Sequence, residues 1–385
     1  MAGKRLRYRR TLVAAALTTT VVAGTAGWAV GNEQVAVTSP VPGVSSWRAD
    51  RELGQPMPDP ATAKPAEVAR FFAGLSEHEQ RDLIARHPLV VGNLDGAPVA
   101  LRYEANRSAL QEERAKERRL AAEPGRTAQD HEAARARAER YTGLLAGERQ
   151  ILAFDPRGRG QVAEVYGDLG RAEHVSVIVP GSDIDLDTFD RTRDQYGTPT
   201  GMARSLYAAT GHRSAVIAWA GYTTPVGLGP DAATGRLAAA GAPRLARFVQ
   251  GLTASGAPEP AVFCHSYGSV VCGLAADEMP AADLVVAGSP GMRADNVGDL
   301  RTEARVWAAK DGGDWVDNVP NVEFLGLGHG ADPTDPSFGA RRVPAATADG
   351  HTGYFAPGTD SLRAFARIAL TDAGSLNSLD VQGEH

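Results

Sequence analysis

A serine hydroxyl is a poor nucleophile at neutral pH, so a chain that uses one needs an imidazole to take its proton and a carboxylate to hold that imidazole in the right tautomer. The run Ala261-Val262-Phe263-Cys264-His265-Ser266-Tyr267-Gly268-Ser269 offers such a serine. An apolar strand (260–263) runs into it and a small-residue helix (269–279) leaves it, which is the setting of a sharp nucleophile-bearing turn. The residues two before and two after must be small for strand and helix to pass closely. They are Cys264 and Gly268, and because the usual pattern has Gly at the first position, the match is partial.

The partners are expected downstream in the order serine, acid, histidine, each on a loop at the C-terminal edge of a sheet. After an apolar strand at 304–308, Asp311 and Asp314 share one loop. Asp314 is preferred because Gly312 and Gly313 allow a tight turn before it and Trp315-Val316 anchors the loop after it; Asp311 is the alternative. For the base, His351 lies just ahead of the last helix, and His329, at the end of a predicted strand, is the alternative. His265 adjoins Ser266, but neighbouring side chains diverge too far to work together. Two backbone N–H groups must hold a developing oxyanion. One is that of Tyr267; the loop Val179-Pro180-Gly181-Ser182-Asp183 supplies the second, assigned to Ser182, with Asp183 expected to cap the following segment.

These loops need a scaffold. Short apolar runs at 150–154, 162–166, 175–179, 214–220, 260–263, 284–287, 304–308 and 322–325 read as strands. Helices at 201–210, 232–254, 269–279 and 361–369 fit between or after them. Hydrophobic strands joined by crossover helices imply a mostly parallel sheet covered on both faces. The link 155–160 is short enough for an antiparallel hairpin at the start. An antiparallel start followed by a parallel sheet is what an α/β-hydrolase core shows, and the catalytic domain is expected to span 149–385. Ahead of it, 65–148 reads as an N-terminal helical region: two short helices broken at the N-cap Ser76, a turn-rich apolar loop at 89–98, and charged helices at 100–120 and 129–146 with a solvated face. Residues 31–64 read as a linker or surface arm.

The chain has 385 residues with a net charge of −6, which gives no basic field for nucleic acid. Lys4, Arg5, Arg7, Arg9 and Arg10 precede a charge-free run at 11–30, the pattern of an export signal. That run is also just long enough to anchor the chain in a bilayer. Residues 1–30 are therefore expected to be a signal peptide or membrane anchor, and the bulk of the chain to be secreted or held at the cell surface. With only two cysteines, a disulfide framework is excluded by count. Pairing Cys264 with Cys272 would join a strand end to a point about two turns down the next helix, beyond the usual roughly 4.4–6.8 Å between Cα atoms, so both are expected as small buried packing residues.

From about residue 47 or 65 to the last helix, the chain resembles the actinobacterial α/β-hydrolase family once described as a domain of unknown function, DUF1023. The resemblance is carried by Val91-Gly92-Asn93-Leu94-Asp95-Gly96, Ala153-Phe154-Asp155-Pro156, Val179-Pro180-Gly181, Gly221-Tyr222, the serine turn, Gly288-Ser289-Pro290-Gly291, Asp332-Pro333-Thr334-Asp335-Pro336-Ser337-Phe338-Gly339, and Gly350-His351 with Tyr354-Phe355. It implies Ser266 as nucleophile, His351 as base and Asp314 as acid; Cys264 departs from the glycine common there. The expectation is an exported serine hydrolase, a carboxylic-ester hydrolase for a small-molecule or lipid-like ester, that needs no metal or organic cofactor. The alternatives are an acyltransferase using the same groups and a non-catalytic binding or scaffold protein that presents the charged helices.

Overall fold

The computed structural model describes residues 33–371 apart from 321 and 325. The expected leader, 1–30, lies outside them. The strands in chain order are β1 (Gln150–Asp155), β2 (Gln161–Tyr166), β3 (Val175–Val179), β4 (Ala215–Ala220), β5 (Ala261–His265), β6 (Asp283–Ala287), β7 (Arg305–Ala309), β8 (Glu323–Phe324), β9 (Leu327–Gly328) and β10 (Arg341–Val343). One sheet runs in the order β1-β2-β4-β3-β5-β6-β7-β10. β1 and β2 form the expected antiparallel hairpin, β2 meets β4 antiparallel, and every later pairing is parallel.

Every residue of β3, β4, β5 and β6 is buried, as strands covered on both faces must be. One core packs the helices Arg236–Ala254 and Gly268–Ala275 onto the sheet, through residues such as Leu245, Val249 and Val270. The opposite core brings in Pro199–Ala209 and Asp360–Ala369 through Met202, Leu206 and Phe365.

A third cluster gathers around Trp47, Phe72 and Leu83 in the N-terminal region. Trp47, within the segment expected as an arm, is fully buried and donates from Nε1 to the Pro58 carbonyl (2.8 Å). Part of the expected loop at 89–98 is instead a one-turn helix, Pro88–Gly92. This region closes the sheet at β1. Asn93 donates to Phe154 O (2.7 Å) and accepts from Phe154 N (3.2 Å), and Asn106 reaches Ile151 O (3.2 Å). Two side-chain amides thus do for an edge strand what a neighbouring strand would do.

The expected strand at 322–325 is not part of the main sheet. A positive φ of 82° at Gly326 folds the apolar run back on itself, leaving the two-residue pair β8 and β9. The eighth place is taken by β10, which pairs with β7 and buries only Val343. A lone inward side chain between two arginines and a loop carries no readable alternation.

Candidate active site

The sheet order decides what can meet at its C-terminal edge. β3 and β5 are neighbours, with Val179 opposite Cys264, so Pro180-Gly181-Ser182 emerges beside Ser266. β7 emerges two strands from β5 and carries the loop holding Asp314. β10 flanks β7, and the chain beyond it turns through the 3-10 segment Gly350–Phe355, which carries His351.

Ser266 has a φ of 55°, in the left-handed region, and its N–H donates to Ala287 O (3.0 Å). A non-glycine residue held there marks local strain stored at the turn. The strain is kept by close passage of the backbone. A Cβ on Gly268 would stand 2.6 Å from Val179 O, and one on Gly181 would stand 2.6 Å from Ser266 Cβ.

The remaining position of the turn pattern, Cys264, corrects the expectation from sequence. It is joined to Cys272 by a disulfide, with the Cα atoms 6.5 Å apart. Residue 272 is only one turn into Gly268–Ala275, and the elbow brings that helix back alongside β5, so distance along the chain overstates distance in space.

Ser266, His351 and Asp314 come together in a continuous line. His351 Nε2 lies 2.8 Å from Ser266 Oγ, and His351 Nδ1 lies 2.8 and 3.0 Å from the two Asp314 oxygens. Asp314 is buried. It accepts from Val316 N (2.9 Å) and from the Tyr354 hydroxyl (2.6 Å). Burial works against its ionised form, but the hydrogen bonds from His351, Tyr354 and Val316 outweigh it and hold the carboxyl below its ordinary range.

The alternatives fall elsewhere. Asp311 points its carboxylate at Gly313 N and Gly350 N (both 3.2 Å), so it braces the segment before His351 and does not touch the imidazole. His329 is buried, with Nε2 2.7 Å from Ala232 O and its ring edge-on to Tyr267; burial pushes its pKa down to about 4. It does not reach Ser266.

Neither Tyr267 nor Ser182 gives its backbone N–H to another protein atom among the described residues. The Tyr222 hydroxyl fixes the second segment by donating to Pro180 O (2.7 Å). Asp183 accepts from Gly227 N (2.7 Å), tying that segment to the loop after β4.

Two supporting residues carry no signal in the serine pattern. Tyr354 lies three positions after His351, one helical turn on, and that spacing could have drawn attention to it. His265 points away from Ser266 and sits 2.6 Å from the carbonyl of His351. Burial, then repulsion from His351, pushes its pKa down to about 3, so it is a neutral imidazole donating to that carbonyl. Among the described residues, no group of three or more His, Cys, Asp or Glu side chains is placed to hold a metal ion.

Residues 155–324 match the model of an alpha/beta hydrolase family. An uncharacterized protein of Mycobacterium tuberculosis, found in two strains, is 30% identical over 380 residues, an alignment covering 84% of this chain. The chain spans 58% of that relative's length. Among solved structures, a predicted CIB-like hydrolase from Thermoplasma acidophilum aligns at 13% identity with a TM-score of 0.34, over 57% of this chain and 94% of its own. A lidless α/β serine hydrolase from Xanthomonas campestris aligns at 14% identity, with the same score and coverage. The sheet order, the crossover helices and the matched family model define the α/β-hydrolase fold.

Proposed function

We propose that this protein is an exported serine hydrolase that cleaves carboxylic esters through an acyl-enzyme. The observation that carries the reading is the unbroken line from Ser266 Oγ through both nitrogens of His351 to a buried Asp314. In this reading Ser266 Oγ attacks the ester carbonyl as its proton passes to His351 Nε2. The oxyanion is held by the N–H groups of Tyr267 and Ser182. Collapse breaks the bond to the alkoxy group, which takes the proton from His351, and leaves an acyl group on Ser266. His351 then takes a proton from water, whose oxygen attacks the acyl carbon, and His351 gives that proton to Ser266 Oγ as the acid departs. Asp314 keeps Nδ1 protonated and stabilises the imidazolium formed in each half.

The quoted motifs and the mycobacterial relative support grouping the chain with the actinobacterial family once termed DUF1023. Export is supported by the basic and then charge-free leader pattern and by the disulfide, since such bonds persist in oxidising compartments. The test is labelling with a fluorophosphonate probe and mass spectrometry of the modified peptide. Label on Ser266, absent from Ser266→Ala, is expected; folded wild-type protein that takes no label would favour the scaffold alternative.

A further inference from the structure

Seven large apolar side chains stand exposed among the described residues: Val35, Val226, Leu228, Leu274, Trp315, Val322 and Leu327. Single exposed apolar residues are ordinary, but a cluster marks a contact surface. Six of the seven, all but Leu274, lie on or beside segments that connect to the site. Trp315 is on the histidine side, its ring 4.6 Å from that of His351. Val226 and Leu228 are on the oxyanion side; they flank Gly227, whose N–H meets Asp183. Leu327 is on the side of the elbow. It bridges to Thr234, whose carbonyl accepts from the Tyr267 hydroxyl (2.7 Å), and Val322 lies on the same β8–β9 hairpin. Val35 joins the edge through its neighbour Gln34, whose N–H donates to Asp231 (2.6 Å). Two of the charges beside this rim are paired within it: Asp231 with Arg236, and Glu323 with Arg293 (2.5 Å).

Leu228 is 72% exposed and Val35 84%. What covers this edge would also lie over the approach to Ser266, because its members connect to the histidine, oxyanion and elbow segments. The described chain begins at Glu33 on this same edge, directly after the charge-free run 11–30 with its five preceding basic residues. A retained leader of that composition would favour an anionic lipid surface, and the described chain starts beside this edge.

We propose that this edge docks on a lipid–water interface, and that the esters cleaved at Ser266 carry acyl chains that enter from that surface. The substrate half rests on the hydrolase reading above; the docking half does not. The test uses the full chain with Ser266→Ala, and phosphatidylcholine vesicles containing phosphatidylglycerol and bromine-labelled acyl chains. Emission from Trp315 is isolated as the difference from the Trp315→Phe variant. Quenching of Trp315 by the bromolipid is expected. In a Leu228→Ser/Leu327→Ser background it should need at least about tenfold more lipid, the shift that follows when two leucines each lose about half of their burial. In the active enzyme the same pair should lower the rate on emulsified ester, relative to dissolved ester, by about the same factor. Vesicle-bound protein with unquenched Trp315 would mean attachment through the leader alone and would overturn the proposal. So would self-association abolished by the same two substitutions, which would assign the rim to a second copy. Quenching here, together with wild-type protein that takes no fluorophosphonate label at Ser266, would leave the docking standing and sink the hydrolase reading.

Discussion

Asp314 has three hydrogen-bond donors around it, the His351 ring, the Tyr354 hydroxyl and Val316 N, and together they fix the orientation of His351. Replacing His351 by Ala should lower kcat/KM on a dissolved ester by roughly 10³-fold or more without unfolding the chain. His329→Ala should leave most of the activity, and the reverse result would reassign the base. Tyr354→Phe removes one hydrogen bond to the carboxylate and should cost on the order of tenfold in kcat with little change in KM, since it acts through Asp314 and not on substrate. Gly181→Ala should be worse, because its new methyl would collide with Ser266 Cβ, 2.6 Å away; a fluorophosphonate labelling rate equal to wild type would show that the oxyanion segment can shift aside. Much of this was legible in the sequence. Chain order and the small residues around Ser266 point to the serine, and a glycine pair and an apolar anchor single out Asp314. Tyr354 was legible only as a neighbour one helical turn from His351; that it bonds Asp314 depends on the 3-10 segment Gly350–Phe355 placing residues 351 and 354 on the same side.

The elements that carry these residues differ in how readable they were. β3 to β7 are apolar on every or nearly every residue, and such runs announce themselves. β10 does not, being short and buried at one residue, while the more hydrophobic 322–325 misleads because it is held out at the rim. The disulfide was missed for a geometric reason: spacing along the chain cannot show that strand and helix run back to back across the elbow. Closing a loop of 8 residues' separation, it should contribute about 2.5 kcal/mol by the loop-entropy relation. A Cys264→Ser/Cys272→Ser chain should therefore unfold at lower urea than wild type, and reduced wild-type protein should match it. Equal midpoints before and after reduction would show that helix packing alone fixes the elbow.

At the scale of the whole molecule, two imidazoles are folded in as neutral groups. An unfolded histidine titrates near 6.5, whereas His265 is pushed down to about 3 and His329 to about 4. Between those values the unfolded chain binds protons that the folded chain cannot, so stability is complete above about pH 6.5 and declines as pH falls. Each group contributes about 1.4 kcal/mol per pH unit in the middle of that window. Below about pH 4 the depressed carboxyl of Asp314 adds a loss of its own. Urea midpoints measured from pH 7.5 to 5 should fall, and His329→Gln should flatten the decline; an unchanged slope would mean that this ring takes up its proton without unfolding. Asn93 and Asn106 of the N-terminal helical region complete the edge of β1, so removing 65–146 should expose that edge and cause aggregation. The joined cysteines also bear on how the molecule can be watched. Both sulfurs are occupied, so a cysteine introduced at position 228 would be the one free thiol among the described residues. A polarity-sensitive dye attached there would report, molecule by molecule, when the mouth of the site leaves water.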